Sequence, residues 1–183
     1  MTDSNGAPAV HLVHTADLDA ATRAAARSLL TEVFEGDFGE DDWEHSLGGV
    51  HALVREGPEL VGHAALVQRR LLHGGRALRT GYVEGVGVRA DRRRRGYGAA
   101  MMAELERVVR GAYDLGALGS SDEGLAFYAS RGWRRWLGPT SVLTPAGAVR
   151  TEEDDGCVFV LPVAAGLDPR GELVCDWREG DVW

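Results

Sequence analysis

The spacing of apolar positions changes several times along the chain, and each change marks an element. Residues 19–34, DAATRAAARSLLTEVF, put Ala25, Leu29, Leu30, Val33 and Phe34 on one face of a 3.6-residue repeat, with Asp19 placed to cap it. An amphipathic helix is predicted there, followed by an acidic loop. HALVREGPELVGHAALVQRRLL then reads as two strands around a Gly57-Pro58 turn, and ALRTGYVEGVGV reads as a third, giving an antiparallel meander. From Gly96 the helical period returns through Met101, Met102, Leu105, Val108 and Val109. AYDLGALGSS supplies a short buried strand. Ser120 and Glu123 stand at capping-box spacing before LAFYASRGW, whose helix Gly132 should end. SVLTP and GCVFVLPV are later strands, separated by the acidic TEEDDG. The order helix, strands, helix, strand, helix, strands predicts a mixed α/β (α+β) fold around one central sheet. A length of 183 residues with 44% hydrophobic content suits one domain over residues 1–183.

Composition narrows the function classes. The formal net charge is -8, so a polyanion is repelled by the molecule as a whole, and carboxylates gathered in one cleft would attract a polycation. All 20 cationic residues are arginine, and lysine and isoleucine are absent; we read this as a codon bias that lowers the weight of any single arginine. Cys157 and Cys175 are too few and too far apart for a metal pattern or a disulfide framework. His14, His45, His51 and His63 show no metal-ligand spacing, so no metal is expected. The N-terminal stretch lacks a basic region followed by an apolar run, and no segment is long enough to span a bilayer. A soluble cytoplasmic protein is expected, with no membrane partner.

The strongest local charge is in VRADRRRRGYGAA, where a strand runs through a glycine-containing loop into a helix. Such a junction presents backbone N–H groups and the positive end of a helix dipole, and arginine adds charged donors suited to phosphate oxygens. The glycines fit neither a P-loop nor a dinucleotide fingerprint. What remains is R-x-x-G-x-G from Arg93 to Gly98, which on charge and turn chemistry alone is either a pyrophosphate cradle or a solvated helix start. Nucleic acid is disfavoured, because only Tyr97 interleaves with the arginines and the rest of the chain is acidic.

VGVRADRRRRGYGA, FYASRGW and the helix-then-meander order resemble the GNAT family of acetyl-CoA-dependent N-acetyltransferases. More narrowly, LVHTADLD, GDFGEDDWEHSLGG, GYVEGVGVRAD, YASRGW, GPTSVL and CDWREGDVW are similar to aminoglycoside 2'-N-acetyltransferases. The resemblance implies a GNAT-like, mostly antiparallel sheet flanked by helices, acetyl-CoA as cofactor with coenzyme A as product, and a homodimer. It assigns Val86, Gly87 and Val88 to the pantetheine arm, and Arg93, Arg94, Arg95, Gly96, Tyr97 and Gly98 to the pyrophosphate. The implied reaction is direct acetyl transfer to the 2'-amino group of a cationic aminoglycoside, conferring resistance.

That chemistry needs a route for the acceptor's proton and a stabiliser for the oxyanion. Glu84, followed by Gly85, is the candidate base, acting directly or through water; the plain alternative is a strand carboxylate facing solvent. A backbone N–H, most simply that of Val86, would meet the oxyanion. By resemblance Tyr128 protonates the departing thiolate, whereas periodicity alone puts it in the core beside Phe127. Acidic residues cluster at 35–44, 152–155 and 176–183, each explicable as a solvated loop. If they converge they form an anionic trough for a rigid polyamine. The resemblance selects Asp37, Glu84, Gly85, Gly119 (serine in several relatives), Glu153, Asp154, Asp181 and Trp183 as acceptor positions. Trp183 suggests a docked tail offering an indole face to a sugar. A cell-wall amino sugar, a polyamine, a protein amine, or a non-catalytic binding module are the alternative readings.

Overall fold

Asp19 ends an extended segment and accepts the N–H of Thr22 at 2.6 Å, which starts helix α1 (Ala20–Val33) where the apolar period places it. The computed structural model describes residues 8–164 and 166–183; residues 1–7, read above as lacking a targeting signal, lie outside the described residues. Within those limits the order is β1 (Val10–His14), α1, α2 (Glu40–His45), β2 (Val50–Glu56), β3 (Glu59–His73), β4 (Arg76–Val88), α3 (Tyr97–Ala112), β5 (Leu115–Gly119), α4 (Leu125–Ser130), β6 (Arg134–Arg135), β7 (Thr140–Thr144), β8 (Gly147–Arg150), β9 (Val158–Pro162) and β10 (Leu173–Asp176). The chain forms two compact units, Met1–Val67 with Glu84–Arg107, and Gln68–Val83 with Val108–Trp183. Strands β3 and β4 and helix α3 run through both.

In the first unit β1, a strand the sequence did not suggest, pairs antiparallel with β2 from Val10↔Val54 to His14↔Val50, and β2 pairs antiparallel with β3, as expected for the meander, from Val50↔Leu66 to Glu56↔Glu59, with a bulge after Val54. Its core joins Leu18, Ala26, Leu29, Leu30, Trp43, Leu53 and Leu60, with Val33 and Phe38 against it. Phe34, expected on the buried face, is instead 40% exposed and stacks on Phe38 at 5.6 Å, because the helix ends one residue earlier and the chain turns through Glu35 and Gly36 at positive φ. The acidic loop contains an unexpected helix, α2. Glu40, Asp41 and Asp42 occupy its positive first turn, Asp42 Oδ2 accepts the Gly39 N–H at 2.7 Å, and Trp43 is the buried anchor.

In the second unit the sheet order is β6-β9-β5-β4-β3-β10-β7-β8, mostly antiparallel, with parallel pairings of β4 with β5 and of β10 with β7. β5 lies antiparallel to β9 from Leu115↔Pro162 to Gly119↔Val158. Leu71, Leu78, Tyr82, Leu115, Leu118 and Trp136 are fully or nearly fully buried there. The capping box expected before α4 does not form: Ser120 Oγ donates to Ser121 O at 2.9 Å, and α4 starts from Gly124 with no side-chain cap. A short 3-10 turn, Asp122–Gly124, takes up the intervening residues. Gly132, at φ +88°, closes the helix as expected.

Candidate active site

The end of β4 is shaped by two glycines that press on α1. Gly85 sits at φ +54°, a conformation that an L side chain adopts only under strain, and a Cβ there would lie 3.0 Å from Ser46 Oγ and 3.1 Å from Leu30 Cδ1. At Gly87 a Cβ would lie 3.0 Å from Leu30 Cδ2. The strand is therefore kinked one residue after Glu84, with Glu84 and Val86 half-buried on either side. The Gly85 carbonyl is bonded not to a side chain of its own strand but to His63 Nδ1 on β3, at 2.8 Å. Behind it His63 Nε2 lies 2.9 Å from His51 Nδ1, and His51 Nε2 lies 2.8 Å from Thr15 Oγ1. Burial pushes both imidazoles down, His51 to about 3 with help from the neighbouring His63, Arg23 and His14, and His63 to about 4 against the opposing pull of the Gly85 carbonyl.

The basic loop follows. Arg94 at φ +64° and Gly96 at φ +82° fold the backbone back on itself, and a Cβ at Gly96 would meet nothing within 4 Å. The first intrahelical bond of α3 runs from Ala100 N to Gly96 O at 2.9 Å, so the N–H groups of Tyr97, Gly98 and Ala99 belong to the uncompensated first turn. Glu56 on β2 organises the rest: it accepts from Arg92 Nε at 2.8 Å and from the Tyr97 hydroxyl, and pairs with Arg95 at 3.5 Å. These donors, Tyr97 first, hold its carboxyl below the usual range. Arg89 pairs with Glu59 and Asp91. Among the described residues Arg93 and Arg94 form no ion pair, and both are exposed. The six residues expected to cradle pyrophosphate thus divide: Arg93, Arg94, Gly96 and Gly98 stand at the open helix start, while Arg95 and Tyr97 brace the loop on Glu56. The set suits a diphosphate, with backbone N–H groups and two uncompensated guanidiniums together.

Asp37 lies in the same unit, exposed just after α1, with its N–H bonded to Phe34 O at 2.9 Å. In the second unit the structure brings together most of the remaining expected residues. The Trp183 indole is buried and donates to Thr151 Oγ1 at 3.0 Å, while Trp183 N donates to Asp181 Oδ1 at 3.1 Å, so the tail is docked as its aromatic residue suggested. A Cβ at Gly119 would lie 3.4 Å from the Trp183 carboxyl carbon and oxygen. Asp154 is pushed up to about 6, first by burial and then by the charges of Asp181 and Glu153. Tyr128 is buried against Trp133 (6.2 Å) and Phe159 (6.3 Å), and burial pushes its phenol up to about 12, so it is protonated at neutral pH.

Arg69, Arg178 and the Tyr82 ring that both guanidiniums face frame this tail, and all three were missed in the sequence. Arg69, only 5% exposed, donates through Nε and Nη2 to Asp176 (2.7 and 2.9 Å) and through Nη1 to Val182 O (2.8 Å), with its guanidinium 4.7 Å above the Tyr82 ring. Arg178 lies 5.5 Å from the centre of the Tyr82 ring and donates to Asp181 O and Trp183 O. A signal for Arg69 was present: in VQRRLL it shares the inward phase of Val67 and Leu71, where a charge requires a partner.

A glycine-kinked strand leading into an arginine-rich helix start is an acyl-coenzyme A-binding arrangement, and the sequence comparison agrees: residues 10–136 match the acetyltransferase (GNAT) domain, and the chain belongs to the GNAT acetyltransferases. It is 57% identical over 176 residues to the aminoglycoside 2'-N-acetyltransferase of Mycolicibacterium fortuitum, covering 94% of this chain and 90% of that protein. Among solved structures it is similar to a GNAT family acetyltransferase from Brucella melitensis in complex with acetyl-CoA (TM-score 0.60, 16% identity, 90% of this chain and 94% of that one). It is also similar to a GCN5-related N-acetyltransferase from Kribbella flavida (TM-score 0.56, 21% identity), where 73% of this chain spans only about a third, 34%, of the other.

Proposed function

We propose that the protein transfers the acetyl group of acetyl-CoA to the 2'-amine of aminoglycoside antibiotics, directly within a ternary complex. The observation that carries this reading is the 57% identity over 94% of the chain to a protein named for that activity. The acidic corner around Asp154, Asp181 and Trp183 supports it, since mutually repelling carboxylates favour a multiply charged cation.

On this reading acetyl-CoA supplies the activated acetyl group, and the chain's residues supply everything else. Arg93 and Arg94, with the N–H groups from Gly96 to Gly98, hold the pyrophosphate; Val86, Gly87 and Val88 offer backbone groups to the pantetheine arm. Glu84 takes the proton of the acceptor amine, directly or through water, and the Val86 N–H stabilises negative charge developing on the acetyl carbonyl oxygen. Tyr128, kept protonated by burial, gives a proton to the leaving thiolate. Asp37, Gly85, Gly119, Glu153, Asp154, Asp181 and Trp183 bind the acceptor. The same reading makes the protein a cytoplasmic homodimer of single-domain chains, 1–183, whose activity confers resistance.

The test is the structure of the product. With acetyl-CoA and an aminoglycoside bearing a 2'-amine, NMR should place the new acetyl group on that nitrogen. Acetylation elsewhere, or turnover confined to polyamines, cell-wall amino sugars or peptide amines, would reject the assignment.

A further inference from the structure

We infer that His63, backed by His51, is a positioning residue that aims the Val86 N–H. The Gly85 carbonyl can only accept, so the bond at 2.8 Å requires the proton to be on His63 Nδ1. A neutral His63 then has Nε2 as an acceptor, and the 2.9 Å contact makes His51 Nδ1 its donor. His51 Nε2 accepts in turn, and its donor is the Thr15 hydroxyl at 2.8 Å, a shorter contact than that hydroxyl makes with Gly49 O at 3.2 Å. One polarity runs through the whole series, from Thr15 to Gly85, with both rings neutral. Their burial, with no exposed surface on either, supports that protonation state.

The peptide between Gly85 and Val86 is planar and trans, so its carbonyl and its N–H point in opposite directions. Anchoring the carbonyl on His63 therefore fixes the Val86 N–H facing away from the buried histidines. Gly85 at φ +54° has no intrinsic preference strong enough to hold that plane alone. The hydrogen bond also polarises the peptide, which strengthens its N–H as a donor. His63 touches no reacting atom in this scheme; it acts through one peptide plane. The inference rests on the proposal that the Val86 N–H meets the developing oxyanion.

Two measurements test it. In the wild-type protein, 15N NMR should show His63 as the neutral Nδ1–H tautomer, without titration across mildly acid to mildly alkaline conditions. The Nε2–H tautomer, or an imidazolium at neutral pH, would overturn the inference, and this readout needs neither a variant nor an acceptor. In turnover, His63→Leu should lower kcat by about tenfold or more while acetyl-CoA affinity and acceptor KM stay within about threefold, because a misaimed oxyanion donor is felt in the transition state. His63→Asn, which restores an N–H near the Nδ1 position, should recover most of that loss. A folded His63→Leu protein with wild-type kcat would sink the idea, as would equal losses in both variants accompanied by matching losses of acetyl-CoA binding. Wild-type enzyme that fails to acetylate any aminoglycoside would instead defeat the functional proposal and leave the tautomer result standing.

Discussion

Asp154 is held in an unfavourable state, and that state has a use. A cation placed beside it favours the carboxylate, so below about pH 6 acceptor binding should release a proton. Aminoglycoside affinity is therefore expected to strengthen as pH rises through about 6, and calorimetry in buffers of different ionisation enthalpy would register the released proton. Asp154→Asn should flatten that step and weaken the acceptor about tenfold, equivalent to about 1.4 kcal/mol. At this scale the sequence was legible where a residue's position is set locally. The glycines of the basic loop, the arginines at the helix start and the docked Trp183 lie where short motifs placed them. The histidine pair could not, because it depends on strand register: His51 pairs with Ala65 and His63 with Leu53, which makes the two histidines diagonal neighbours on one face. Spacing along the chain contains no trace of that.

Helix α1 shows how an element reaches the chemistry. Leu30, fully buried, fills the first unit's core and also lies against the two glycines that kink β4. Leu30→Ala should lower stability by about 2–5 kcal/mol, read from urea unfolding, and should loosen the bend after Glu84 as well. Elements with several turns or many alternations were visible in the sequence: α1, α3, and the meander of β2, β3 and β4. The missed strands β1, β6, β8 and β10 have five, two, four and four residues, too few positions to display a period. Exposure added to the difficulty for β8, an edge strand whose last three residues are all exposed. The capping box at Ser120 failed for another reason. Its spacing was right, but a 3-10 turn intervened and moved the helix start to Gly124.

For the molecule as a whole, two effects on acid stability have opposite signs. His51 and His63 have folded values far below the unfolded value of about 6.5, so their contribution is present above that pH and is lost as pH falls toward about 4 and about 3. Asp154 has a raised folded value, so its contribution favours folding at low pH and is lost as pH rises through about 6. Two fully buried rings outweigh one part-exposed carboxyl, whose effect solvent reduces. Unfolding free energy should be nearly level above pH 7 with respect to these groups, and should fall steadily from about 6.5 to about 4. Denaturant midpoints measured across that range would show it, and His63→Asn should make the slope shallower.

β10 also determines when folding can finish. Leu173–Asp176 lies between β3 and β7, paired through Leu71 and Leu72 on one side and through Thr140–Leu143 on the other. On a ribosome, β3 emerges about a hundred residues before its neighbour and β7 about thirty. Until Leu173 arrives, each presents an open row of backbone donors and acceptors to any other extended chain. Synthesis at about 5–20 residues per second leaves that edge of β3 uncovered for several seconds. A nascent chain of this protein should therefore be a client for chaperones that shield extended, apolar segments, and it should lose that dependence once the late strand has inserted.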